Sequence, residues 1–127
     1  MSNNNSRALK IYIASPYTAS SDSEIQANVS KAIDAAIMVY KKGHFPYIPH
    51  LTHWIELRSK ETRQGLKWED YLEMDRAWLE SCDALLFLKE SRGAKLELDY
   101  AKKMNKKIFY NLDEIPDVKR VFKYQFT

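Results

Sequence analysis

The chain has a single cysteine, Cys82, so no disulfide can close within it. Cys82 falls between a helical and a strand-like pattern, where a small buried side chain is expected rather than a catalytic thiol. No apolar run approaches the roughly 18 to 20 residues that span a bilayer. The N-terminus, MSNNNSR, lacks the apolar segment of a signal peptide, so the expected compartment is cytoplasmic and no membrane is an expected partner. There are no repeats and no low-complexity tracts. What is present is 127 residues, 45% of them hydrophobic and 29% charged, enough to close one core. One domain over 1–127 is expected, with a disordered polar tail at 1–8. The formal charge is +3, and Lys102, Lys103, Lys106, Lys107, Lys119, Arg120 and Lys123 gather late. A solvated face accounts for them, and a field for an anionic small molecule is the functional reading. No nucleic-acid-binding motif accompanies the charge, so nucleic acid is not an expected partner.

Along the chain, strand-like and helix-like patterns alternate. KIYIAS at 10–15 is a β-branched and aromatic run that suggests a buried strand. Ser23 with Gln26 matches a capping box, and Ile25, Val29, Ala32, Ile33, Ala36, Ile37 and Tyr40 follow at helical spacing up to Gly43. HFPYIP at 44–49 reads as a second strand, with a short helix expected around 52–57. Trp68, Tyr71, Leu72, Trp78, Leu79 and Cys82 share one helical stripe, and ALLFL at 84–88 is a strand covered on both faces. A helix over about 91–105, a strand at KKIFYN and a short helix plus the extended tail VFKYQF complete the chain. Trp54, Trp68 and Trp78 read as packing residues rather than a stacking platform. This alternation predicts a parallel sheet with helices on both faces and a ligand site at the carboxyl ends of its strands. The loops at 15–23, 49–62 and 89–93 lie there.

Two acids interrupt apolar stripes. Asp75 occupies a core-facing place in the stripe from Trp68 to Cys82, and Glu97 lies among Ala94, Leu98 and Ala101, with Gly93 and Ala101 four residues to either side. Carboxylates are rarely buried without a partner, so either each acid pairs with a base or the two act together. Paired carboxylates suit glycosidic chemistry, in which one attacks or stabilises the anomeric carbon and the other manages the leaving group's proton. Ser91 is an N-cap at a helix start that would attract an anion, and Gly93 leaves room for close approach. His50 and His53 with Glu56 form an H-x-x-H pattern without a third strong ligand, so no metal is expected and His50 is read as a base or sugar contact.

IYIASPYT, DRAWLESCDALLFL and SRGAKLELDYA, in that order and spacing, resemble the three motifs of the nucleoside 2-deoxyribosyltransferase superfamily, especially its small, uncharacterised branch. The resemblance spans about residues 10–110. It implies a flavodoxin- or Rossmann-like α/β three-layer sandwich with a four- to five-stranded parallel sheet. It further implies Glu97 as nucleophile, Asp75 as the acid assisting the base, Tyr12 orienting the nucleophile, and Ser91 in the place of a serine that binds a 5′-phosphate in the similar 2′-deoxynucleoside 5′-phosphate N-hydrolases. Ser91 and Arg92 stand where nucleoside transferases usually carry an aspartate, which favours a phosphorylated substrate. The first loop, with Ser15, Pro16 and Tyr17, lacks the glycine-serine and arginine of the N-hydrolases.

The expected activity is cleavage of the base–sugar bond of a nucleoside 5′-monophosphate through a Glu97 glycosyl-enzyme, with Ser15, Pro16, Tyr17, His50, Ser91, Arg92 and Gly93 binding substrate and no cofactor. Transfer of deoxyribose between bases is the alternative, and a non-catalytic nucleotide sensor or an interaction protein with ion-paired acids are readings of other classes. A homodimer is implied by the resemblance, with a neighbour completing each site and the VFKYQF tail as one contributor.

Overall fold

The protein's computed structural model describes residues 7–120. Four parallel strands, β1 (Lys10–Ala14), β2 (Phe45–Tyr47), β3 (Ala84–Phe87) and β4 (Lys107–Phe109), form a sheet in the order β2-β1-β3-β4. Parallel pairing demands a crossover between successive strands, and helices supply it. Helix α1 (Asp22–Lys41) links β1 to β2, α2 (Thr52–Glu61) and α3 (Trp68–Ser81) lead to β3, and α4 (Arg92–Lys103) leads to β4. The expected α/β sandwich is present with four strands.

The period of two along a strand divides β1 between two cores. Ile11 and Ile13 face α1 and pack with Ala32, Ala35, Ala36 and Val39. Tyr12 and Ala14 face the opposite side and pack with Leu79 of α3, with Cys82 at its end, and with Ala94, Leu98 and Ala101 of α4. The chain leaves β1 toward β2 in one direction and reaches β3 and β4 in the other. Strand order therefore reverses between β1 and β3, which opens a crevice beyond their carboxyl ends.

Several local readings are corrected. Ser21, not Ser23, caps α1: its hydroxyl accepts from the Glu24 N–H at 3.2 Å, and Glu24 accepts in turn from Ser20 and Ser21. Serines at 20, 21 and 23 all fit the pattern, and only the geometry separates them. The buried stripe of α1 runs through Val29, Ala32, Ala35, Ala36 and Val39, leaving Ile37 and Tyr40 half exposed. Small alanines let the helix lie close to the sheet. Trp54, Trp68 and Trp78 are 55%, 52% and 53% exposed, so they are not core residues. Helix α2 runs to Glu61, beyond the expected 57.

Arg7 reaches Asp83 at 3.2 Å, and Asp83 also accepts from the Lys10 N–H at 2.9 Å. Residues 1–6 of the expected N-terminal tail, and the VFKYQF segment, lie outside the described residues. No helix among the described residues is long and apolar enough to cross a membrane.

Gly43 ends α1 at φ +101°, with its N–H bonded to the Tyr40 carbonyl at 2.9 Å and the His44 N–H bonded to Val39 at 3.2 Å. This is the Schellman arrangement. A Cβ at Gly43 would stand 2.0 Å from the Val118 carbonyl oxygen, whose residue donates to Lys42 at 2.7 Å. Gly43→Ala therefore combines left-handed strain with a backbone clash. It should cost about 2–4 kcal/mol in urea unfolding; a loss under about 0.5 kcal/mol would show that the segment at 116–120 moves aside freely.

Candidate active site

The crevice is a cleft of about 740 Å³ whose lining includes Ser15, Tyr17, His50, Asp75, Ser91, Arg92, Gly93 and Glu97. Eight of the ten expected site residues thus share one cavity. Tyr12 lies beneath it, fully buried, and Pro16, in the first loop, is not part of the lining.

Glu97 points from α4 toward β1, where the Tyr12 hydroxyl donates a hydrogen bond to its Oε2. Burial raises the Glu97 carboxyl to about 8; the Tyr12 bond opposes that rise and the Asp75 charge adds to it. Burial, reinforced by Glu97 and Asp75, holds the Tyr12 hydroxyl well above its ordinary range, so Tyr12 remains a donor. Burial also raises Asp75 to about 7, and its Oδ1 is buried with no hydrogen-bond partner. No salt bridge among the described residues includes either acid. Burial therefore holds protons on both carboxyls into the neutral range, and the Asp75 charge adds to the effect at Glu97.

Ser91 caps α4: its Oγ accepts from the Ala94 N–H at 3.1 Å. That bond occupies a lone pair and leaves the hydroxyl proton free to donate outward. Arg92 projects from the first turn with its guanidinium 5.7 Å from the Trp68 ring. A Cβ at Gly93 would meet nothing within 4 Å, so the space beside it is open.

The first loop is held from behind. His50 Nε2 stands 2.9 Å from the Ser15 carbonyl and 3.1 Å from that of Pro16. Carbonyls only accept, so Nε2 carries the proton and donates to both. Burial lowers the His50 titration and favours this neutral ring. Tyr17 is fixed at its hydroxyl by His53 Nδ1, 2.8 Å away, and at its carbonyl by the Asn28 amide at 3.0 Å. His50 and His53 are therefore engaged separately, and no group of three metal-binding side chains occurs among the described residues.

Sequence reasoning missed part of the wall. Glu56 and Tyr71 line the cleft and bond to each other at 2.9 Å, alongside Trp68 and Leu72. Glu56 was noticed only as part of the H-x-x-H pattern, whereas the signal for Tyr71, Trp68 and Leu72 was the helical stripe itself, which was read as core. Its lower end, Leu79 with Cys82, does pack on the sheet, but α3 overhangs the strand ends and its upper turns face the cleft.

With that geometry in place, the comparisons bear on it. The family described as a domain of unknown function (DUF7768) matches residues 9–111. The chain belongs to that family. No curated protein matches the sequence. Among solved structures, the DUF7768 chain is similar to a 2-deoxyribosyltransferase from Leishmania mexicana at 18% identity and a TM-score of 0.52, covering 78% of this chain and 61% of that one. A 2-deoxyribosyltransferase from the psychrotolerant bacterium Bacillus psychrosaccharolyticus has 17% identity and a TM-score of 0.47, with 91% and 86% of the two chains covered. The DUF7768 chain therefore has the deoxyribosyltransferase fold, and it spans 61% of the length of the Leishmania enzyme.

Proposed function

We propose that this chain cleaves the N-glycosidic bond of a nucleoside 5′-monophosphate, with Glu97 as nucleophile and Asp75 as the acid on the base. One observation carries the reading: two partly buried carboxyls without a cationic partner among the described residues share a cleft, and one of them is oriented by a buried tyrosine. Ion pairing would have explained buried acids without chemistry, and no such pair is formed.

The reaction requires Glu97 ionised and Asp75 protonated, one arrangement of the singly protonated pair. Ionised Glu97 attacks the anomeric carbon as the bond to the base breaks. The bonding electrons pass to the ring nitrogen, which takes the Asp75 proton. Water then attacks the glycosyl–Glu97 ester and gives a proton to Asp75, restoring both groups. Tyr12 keeps its proton throughout and favours the charged form of Glu97, which raises the fraction able to attack and eases departure of the carboxylate when the ester breaks. The scheme uses no metal or cofactor. In this reading the chain works in the cytosol as a homo-oligomer, with half-exposed Trp54 and Ile55 of α2 offering an apolar face to a second copy.

The phosphate preference rests on Ser91, whose hydroxyl can donate outward at the start of α4, and on Arg92 beside it. Chromatography of free base released from nucleosides and their 5′-monophosphates tests both parts. Faster release from the monophosphate is expected, and Ser91→Asp should cut kcat/KM for it by about 10- to 100-fold, with little effect on the nucleoside. Equal turnover of the two substrates, unchanged in Ser91→Asp, removes the phosphate; no release from any substrate removes the reaction.

A further inference from the structure

Tyr47 was not expected at the site. It lies on β2 directly beside Tyr12 in the parallel register, so both side chains emerge from the same face of the sheet. Their ring centroids are 5.7 Å apart. On its other side Tyr47 stacks on Trp78 at 5.3 Å and an interplanar angle of 22°. Trp78 is one helical turn beyond Asp75 on α3, so this stack ties the Tyr47 ring to the helix that carries the acid.

One group here lacks a partner: Asp75 Oδ1 is buried without a hydrogen bond, while the Tyr47 hydroxyl is not committed to another described side chain. An unpaired carboxylate oxygen out of water is costly, and a phenol is a fitting donor to it. We propose that the Tyr47 hydroxyl is the donor to Asp75, so that the tyrosines paired across β1 and β2 each serve one carboxylate. In this proposal the bond forms once Asp75 has lost its proton. Tyr47 is thus a positioning residue, and naming Asp75 as the acid rests on the function proposed above.

The electrostatics agree with the placement. Burial raises the Tyr47 hydroxyl to about 12, and the charges of Asp75, Cys82 and Glu97 add to the rise. Its proton is therefore held across the working range. The Asp75 charge reaches titratable groups on three neighbouring elements, namely Tyr12 on β1, Tyr47 on β2 and Glu97 on α4. Tyr12 is already committed to Glu97, which leaves Tyr47 as the tyrosine free to donate.

The test is a carboxyl-carbon NMR titration of Asp75 in the wild-type protein and in Tyr47→Phe, with the resonance assigned through Asp75→Asn. Tyr47→Phe keeps the ring and its stack on Trp78, which fluorescence verifies, and removes only the donor. The Asp75 midpoint should rise by about one pH unit, because the charged form loses its hydrogen bond. Where base release is measurable, the alkaline limb of kcat/KM should move upward with it while KM stays constant. An Asp75 midpoint that is unmoved or lowered overturns the proposal. The titration needs no substrate, so a chain that releases no base defeats the proposed reaction and leaves the Tyr47–Asp75 bond to be decided by the titration.

Discussion

Glu97→Gln should abolish turnover, lowering kcat by about 10³-fold or more, since the amide keeps the shape and the Tyr12 contact of the carboxyl but cannot form the ester. The same change should stabilise the protein in a pH-dependent way. Burial raises Glu97 from an ordinary 4.5 to about 8, so between those values the folded state holds a proton that the unfolded chain has released. The stability this proton contributes is complete below about pH 4.5 and is lost as pH rises through about 8. Wild type and variant should therefore melt together near pH 4. Near pH 8.5 the variant should gain on the order of 1–2 kcal/mol, or several degrees in Tm. Activity within tenfold of wild type, or a stability gain that is equal at both pH values, would contradict the role given to this carboxyl.

Asp75→Asn should cost about 10²- to 10⁴-fold in kcat/KM, the usual worth of a positioned general acid. The form of the loss matters more than its size. In the wild-type protein the productive state has Glu97 ionised and Asp75 protonated, although burial places Asp75 at about 7 and Glu97 at about 8. Only part of the singly protonated pair is in that state, so kcat/KM should follow a narrow bell between roughly pH 7 and 8 whose limbs belong to the pair. Asparagine removes the transferable proton and with it the alkaline limb. It also removes the like charge beside Glu97, so the acid limb should shift to lower pH. A substrate whose base departs without protonation should recover most of the lost rate. An Asp75→Asn protein that keeps the alkaline limb would show that the proton comes from elsewhere.

How far the sequence carried can be judged element by element. The order of strands and helices was legible because ALLFL and KIYIAS are apolar runs of strand length and Gly43 sits where a helix must end in the left-handed region. The acids were legible because Asp75 and Glu97 break stripes whose other members are apolar. Exposure along α3 was not, because periodicity marks a face without saying what the face meets. The same stripe covers the sheet at Leu79 and borders the cleft at Tyr71. Tyr47 was hidden for a different reason. Its neighbourhood depends on β2 pairing with β1 in register Tyr12 to Tyr47, and no local pattern in FPY encodes that pairing. The Glu56–Tyr71 bond is likewise a meeting of two helices joined by a loop, which sequence spacing does not measure.

The central claim is that Glu97 becomes covalently bound to the sugar, and rapid acid quenching of the protein during turnover, followed by peptide mass spectrometry, tests it directly. With a nucleoside 5′-monophosphate as substrate, the peptide containing Glu97 should carry the sugar phosphate as an ester, and Glu97→Gln should carry none. Release of free base with no adduct on Glu97, or with the adduct on another residue, would contradict the account.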